Sequence, residues 1–149
     1  MTWRNWISGL VIAASCGLVS PARAADSAVV LMYHRVGTPS ASTNTPVEMF
    51  KDHLRLLRSE KYAVLPLTTV LASLRGGDPL PDRTIVITFD NAYRRLTETA
   101  IPLLQEAGLP FTVFVSTDGV DQGTKDLMTW EQLRKLAEEG VEIASNGAG

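Results

Sequence analysis

The chain has 149 residues, about the length of one domain, with 45% hydrophobic residues and a formal net charge of −2. This balance is typical of an ordinary globular protein and excludes the disordered, collagen-like and disulfide-scaffold classes. A weakly acidic chain without a basic run also indicates that nucleic acid is not a partner.

The first 24 residues have the pattern of a secretory signal peptide. Arg4 provides a positive start, an apolar run extends over residues 7–19, and ARA at residues 22–24 places small residues at both positions that a signal peptidase reads. The run is shorter than the about 20 apolar residues that a permanent span requires. We therefore expect a cleaved signal over residues 1–24, no stable membrane span afterwards, and export to the periplasm or the cell exterior. The alternatives are a retained anchor and a lipid anchor on Cys16, the only cysteine.

The mature chain opens with a strand, a helix, a second strand and a second helix. Ala28–Tyr33 is an apolar, β-branched run typical of a buried strand. A proline and a capping-box glutamate after Thr45 predict a helix start, and the apolar positions that follow recur at helical spacing. Tyr62–Leu65 predicts a short strand, and residues 68–75 predict a short helix.

The second half repeats this alternation. It predicts a strand over Thr84–Phe89, a helix over 94–107 ending at Gly108, a strand over Phe111–Ser116, a helix with a capping box at Thr129, and a strand over Val141–Ser145. The strands 28–33, 84–89 and 111–116 are apolar on both faces, which predicts that other elements cover both faces of each strand. The alternation indicates an α/β fold with a mostly parallel sheet, either an open doubly wound sheet or part of a (β/α) barrel.

Chemistry in both architectures gathers at the carboxyl ends of the strands. Asp90 stands there and could act as a general base or metal ligand, or could merely cap a helix. His34 could move protons or bind a metal, although such a residue more often holds a loop. Trp130 could stack on a sugar or seal its helix against the sheet, and residues 118–123 read as an irregular loop.

Five blocks follow one another in the mature chain: VLMYHRV, FKDHLRLLRSEKY, LPDRTIVITFDNAYRR, AIPLLQEAGLPFTVFVST and MTWEQLRKLAEEGVEIAS. In order and spacing they resemble the polysaccharide deacetylase family, also called the NodB homology domain or carbohydrate esterase family 4. The resemblance implies a distorted (β/α) barrel. It also implies removal of N-acetyl groups, or in a few members O-acetyl groups, from a polysaccharide.

The resemblance further implies a divalent metal, usually zinc, held by one Asp and two His beside a second Asp that acts as base. The family motif Thr-Phe-Asp-Asp-Gly reads TFDNA at residues 88–92, so Asp90 matches the catalytic base and Asn91 stands at a metal-ligand position. Asn146 stands where the first histidine ligand belongs. Both ligand positions are therefore substituted, which predicts a weakened metal site. The matched blocks assign no substrate-binding residue.

A complete barrel needs roughly 200–250 residues. We therefore expect residues 25–149 to be the N-terminal part of a deacetylase domain, a partial barrel truncated before its second half. The hypotheses are an exported hydrolase with Asp90 as base, a metal-free glycan-binding relative, and an inactive fragment. The sequence indicates neither the glycan nor the oligomeric state.

Overall fold

The computed structural model of the chain describes residues 27–37, 43–59 and 61–147. The strands in these ranges are β1 Val29–Tyr33, β2 Arg35–Gly37, β3 Asn44–Pro46, β4 Ala63–Val64, β5 Thr84–Phe89, β6 Thr112–Val115 and β7 Glu142–Ser145. The helices are α1 Val47–Arg58, α2 Leu67–Gly76, the 3-10 helix Arg94–Thr97, α3 Ala100–Ala107, α4 Thr117–Asp121 and α5 Trp130–Glu138. The predicted signal peptide lies outside the described residues. Within them, no helix combines the length and apolar character that crossing a bilayer requires.

The strands form one larger and one smaller sheet, and all their pairs are parallel. The larger sheet has the order β1-β5-β6-β7, with β4 also paired to β5, while β2 and β3 form a separate pair. Tyr33 lies beside Phe89, and Val115 lies beside Ser145, so the carboxyl ends of the four ordered strands meet at one edge. The predicted α/β fold with a parallel sheet is therefore confirmed.

The main core lies on one face of the larger sheet. Ile85, Ile87 and Phe89 alternate onto this face, as every second residue of a strand must. They meet buried side chains of α1, α3 and α5, namely Phe50, Leu54, Leu57, Ile101, Leu104, Leu133 and Leu136. Each such side chain contributes about 1.5–3 kcal/mol when fully buried. This packing holds the carboxyl end of β5 in place.

The opposite face of the sheet is covered only in part by the described residues. Val70 of α2 packs on Val86 together with Leu80, but Val30 and Met32 of β1 are 51% and 59% exposed. The prediction that β1 is covered on both sides is therefore wrong for the described structure, because none of the described helices packs over this end of the face. The same prediction is confirmed for β5, which is buried along its whole length.

The helix predicted over residues 94–107 is instead a 3-10 helix followed by α3. Pro102 has no N–H group, and in a continuous α-helix its ring would clash with the carbonyl of Glu98. The Thr99 hydroxyl lies 2.9 Å from the carbonyl oxygens of both Val36 and Arg95 and shares its single hydrogen between them, which links the break between the two helices to β2. The predicted end at Gly108 is confirmed, with φ at 64° in the left-handed region.

One of the two predicted capping boxes is present. Thr129 Oγ1 accepts a hydrogen bond from Gln132 N at 3.3 Å, and Gln132 Oε1 accepts one from Thr129 N at 2.9 Å. The box predicted at Thr45 is wrong, because Thr45 pairs with Val36 in the small sheet and α1 begins after Pro46 without a side-chain cap. The irregular loop predicted over 118–123 is also wrong in part, since α4 occupies residues 118–121.

Glu142, in β7, caps the start of α2 although 75 residues separate it from Leu67. Its carboxylate accepts hydrogen bonds from Leu67 N at 3.0 Å and from the Thr112 hydroxyl at 2.8 Å, and the N–H and hydroxyl of Thr68 also donate to it. Pro66 precedes α2 and supplies no side-chain cap, so the distant carboxylate satisfies N–H groups that the helix leaves open. Burial acts to raise the pKa of Glu142, but the hydrogen bonds outweigh it and lower that pKa.

Replacing Glu142 by Gln should lower the free energy of unfolding by about 1–2 kcal/mol at about pH 7, since an ionised cap becomes neutral. The pKa of Glu142 is lower in the folded state, so this contribution is present above the unfolded value and is lost as pH falls through the folded value. The difference between the proteins should therefore shrink below pH 4.5, the ordinary value. Urea unfolding at about pH 7 and about pH 3 measures it, with the exposed Glu138→Gln as control. An equal difference at both pH values would contradict this role.

Candidate functional site

Asp90 lies where β5 ends, beside the end of β1. Its N–H donates to the carbonyl of Tyr33 at 2.8 Å and extends the pairing of the two strands by one residue. The 3-10 helix that follows has Tyr93 at its start and no side-chain cap. The Asp90 carboxylate therefore has no capping role, and with the side chain 21% exposed it remains open to a ligand.

His34 faces Asp90 across the ends of the two strands. Its Nε2 lies 3.9 Å from Asp90 Oδ2, close enough for attraction when the imidazole is protonated. The sequence favours a loop-holding role for His34 and does not connect it with Asp90. The parallel register of β1 and β5, in which Tyr33 lies beside Phe89, is the signal that joins them, because the next residue of each strand is His34 and Asp90.

The other histidine, His53, lies away from this pair. Its Nδ1 forms a 2.9 Å hydrogen bond with the hydroxyl of Tyr33. Burial raises the pKa of Tyr33, so this hydroxyl stays neutral and fastens α1 to the end of β1. His53 therefore has a structural role, because it holds α1 against the end of β1.

Asn91 and Asn146 contact each other although 55 residues separate them. Asn91 opens the turn after β5 with φ at 67°, a left-handed conformation that asparagine tolerates, and Ala92 follows with φ at 42°. Asn146 follows β7, and its N–H donates to the carbonyl of Val115 at 2.8 Å. Its side-chain Nδ2 donates to Asn91 Oδ1 at 3.0 Å. The two positions that the sequence resemblance predicts as metal-ligand positions are thus adjacent.

An open cavity of about 340 Å³ joins Asp90 to Asn146. Its other lining residues are mostly apolar and come from three strands and the start of α2: Val30, Met32, Thr88, Phe114 and Leu67. The apolar lining of such a cavity can hold the apolar part of a small ligand. The carboxylate at its rim can take a proton from a water molecule beside that ligand.

The residues present at this site do not fit a zinc ion. Catalytic zinc is usually held by three protein ligands drawn from His, Asp, Glu and Cys. Among residues 27–37, 43–59 and 61–147 no three such side chains converge. The oxygen of Asn91 already accepts a hydrogen bond, and the Asn146 nitrogen that donates it has no lone pair to offer. The pair is neutral, and it supplies neither a carboxylate nor an imidazole.

The fold and site define a parallel-sheet α/β domain whose candidate chemistry lies at the carboxyl ends of its strands. A family model described as polysaccharide deacetylase matches residues 77–148. With the relatives and solved structures described next, this match shows that the chain is similar to the polysaccharide deacetylase family over most of its length.

Relatives extend the similarity over most of the chain. A Bacillus subtilis protein named as a polysaccharide deacetylase, YxkH, is 28% identical over 117 residues, covering 78% of this chain and 41% of its own length. The Escherichia coli poly-β-1,6-N-acetyl-D-glucosamine N-deacetylase is 25% identical over 135 residues, covering 79% and 20% respectively. The solved structure of IcaB from Ammonifex degensii superposes with a TM-score of 0.72 at 27% identity, covering 83% of this chain and 53% of IcaB.

The chain spans less than half the length of these curated relatives and about half of the solved deacetylase domain. The fold prediction of a partial (β/α) barrel is confirmed by the neighbouring structures, which are deacetylase barrel domains. Members of the family are generally metal-dependent, whereas the described residues of this chain present no metal site.

Proposed function

We propose that this protein removes acetyl groups from an N-acetylated or O-acetylated polysaccharide, with Asp90 as the general base. The position of the Asp90 carboxylate supports the proposal, since it stands at the carboxyl end of β5 on the wall of an open cavity. One relative is named for poly-β-1,6-N-acetyl-D-glucosamine, so a β-linked N-acetylglucosamine chain is the first substrate to examine.

The reaction needs a proton acceptor and a place for the acetyl group. Asp90 takes a proton from a water molecule, whose oxygen attacks the carbonyl carbon of the acetamide. The carbon–nitrogen bond then breaks, and the nitrogen receives the proton from Asp90 and becomes a free amine. The acetyl group leaves as acetic acid, which ionises to acetate in solution. The apolar residues Val30, Met32 and Phe114 border the same cavity and suit the acetyl methyl group. His34 faces Asp90 and attracts its charge when protonated.

A second candidate is a glycan-binding protein that performs no chemistry. The hydrogen bond between Asn146 and Asn91 favours it, because the two positions at which the family resemblance implies metal ligands are neutral amides that contact each other here. Such a protein would keep the sugar-binding edge of the sheet and lose the electrophilic help that catalytic zinc supplies.

Release of acetate separates the two candidates. The purified protein is incubated with N-acetylated β-1,6-linked glucosamine oligosaccharides, and free acetate and bound glycan are measured in parallel. We expect acetate above the protein-free control. Glycan binding without acetate would support the second candidate, and the absence of both would overturn both.

We also propose that the protein acts outside the cytoplasm, where such polysaccharides accumulate. Support comes from the signal-like pattern of residues 1–24, in which an apolar run precedes the small residues of a cleavage site.

A further inference from the structure

A cleft of about 380 Å³ near the candidate site concentrates positive charge. It lies between β2 and the segment that follows the Asn91 turn. Its charged lining consists of four cations and two carboxylates: Arg35, Arg94, Arg95, Lys125, Glu98 and Asp126. We call it the arginine cleft. Cations outnumber carboxylates two to one, in a chain whose overall charge is negative.

Two of the arginines are oriented by uncharged partners, so no carboxylate neutralises their positive charge. The guanidinium of Arg35 lies over the ring of Tyr93, with its carbon 3.8 Å from the ring centroid. Arg94 Nε donates to the carbonyl of Leu127 at 3.2 Å, which leaves its two terminal nitrogens available. Both groups are therefore held in place before any ligand arrives.

The third arginine, Arg95, depends on a glycine. A Cβ atom at Gly37 would come within 2.9 Å of Arg95 Nε, so the absence of a side chain lets the arginine lie against β2. Within the described ranges, none of the three arginines has a carboxylate oxygen within 4.0 Å. A wholly structural role would normally pair them with Glu98 or Asp126, and that pairing is not made.

The arginine cleft and the candidate site belong to the same edge of the sheet. Arg35 directly follows His34, whose ring faces Asp90. Arg94 is four residues beyond Asp90, so their Cα atoms lie at most about 14 Å apart. A polysaccharide with one sugar at Asp90 can therefore place another sugar of the same chain in the cleft.

We propose that the arginine cleft binds the carboxylate of an acidic sugar in the polysaccharide that reaches Asp90. The planar guanidinium group offers paired N–H donors that match a carboxylate, and it keeps its charge at every physiological pH. The inference rests on the proposed function, because it takes the same glycan as ligand, and it narrows the substrate to an acidic, acetylated polysaccharide. A neutral N-acetylglucosamine chain can occupy the site, but it offers no anionic group to pair with the positive charge of the cleft.

Binding to two matched oligosaccharides tests the inference. A hyaluronan oligosaccharide alternates N-acetylglucosamine with a carboxylate-bearing sugar, and a chitin oligosaccharide of equal length is N-acetylated and neutral. We expect the protein to bind hyaluronan at least about tenfold more tightly, and this preference should fall as salt screens the charge. Equal affinity for the two would overturn the inference but not the proposed function, which acetate release tests separately.

Three variants locate the effect. Arg35→Gln combined with Arg95→Gln should remove the preference for hyaluronan and leave chitin binding unchanged. Gly37→Ala keeps every charge but displaces Arg95, and it should weaken hyaluronan binding alone. Arg75→Gln, an exposed arginine at the end of α2, makes the same charge change away from the cleft and should have no effect.

The remaining outcomes are also decisive. Retained preference in the double variant, or an equal loss in Arg75→Gln, would overturn the assignment to the cleft. Single-stranded DNA that binds as tightly as hyaluronan would show a general attraction for polyanions and would likewise overturn it. If the double variant fails to fold, Arg95→Gln alone applies the same test, since that side chain is exposed.

Discussion

Asparagine in place of Asp90 should reduce acetate release by about 10²–10⁴-fold, the usual contribution of a positioned general base. Asparagine has nearly the same shape and cannot accept a proton from water at neutral pH. Glycan affinity should stay within about twofold, because the change removes chemistry and keeps the size of the residue. The measurements are the rate of acetate release and the dissociation constant for the same oligosaccharide.

The fold should survive this substitution. The backbone N–H of Asp90 donates to Tyr33, and that bond does not depend on the side chain. The His34 imidazole is 30% exposed and can be solvated when its neighbour becomes neutral. We therefore expect a thermal unfolding midpoint close to that of the unsubstituted protein.

Asp78→Asn is the matched control, since the same carboxylate-to-amide change falls on an exposed residue just beyond α2. It should leave acetate release unchanged. Undiminished acetate release by Asp90→Asn would remove the general base from the proposed mechanism. Equal loss in both variants would mean that net charge, and not the position of the carboxylate, controls the rate.

Local patterns in the sequence predict much of the fold. β5 is recognisable because a buried parallel strand needs apolar residues on both faces, and Thr84–Phe89 has them. The capping box at Thr129 is also local, since its two hydrogen bonds join residues three apart. The strand end that presents Asp90 follows from the same run of residues.

Local sequence patterns do not predict features that depend on the order of the strands or on which elements pack over them. The contact between His34 and Asp90 requires β1 to lie beside β5, although β2, β3 and β4 intervene along the chain. The exposure of Met32 depends on which elements pack over β1. The apolar character of a residue does not show whether another element covers it. The arginine cleft joins residues from separate segments and has no continuous basic run to reveal it.

The double substitution Asn91→Asp with Asn146→His should raise the affinity for zinc by at least about tenfold, or about 1.4 kcal/mol. The two side chains already lie within hydrogen-bonding distance, so the replacements place a carboxylate and an imidazole next to each other. Aspartate, like asparagine, tolerates the left-handed backbone at position 91, where φ is 67°. The new pair therefore needs no change in the turn.

Titration against a chromophoric zinc chelator at about pH 7.5 and about pH 5.5 measures this gain. The affinity should fall at the lower pH, because histidine binds metal only when its ring is neutral and its ordinary pKa is about 6.5. Asn91→Asp with Asn146→Gln is the control, since it supplies the carboxylate without the imidazole and should gain less. Tight, stoichiometric zinc binding by the unsubstituted protein would contradict the conclusion that the asparagine pair does not suit the metal. If only the substituted protein binds zinc, the two asparagines account for the difference in zinc affinity between this chain and metal-dependent polysaccharide deacetylases.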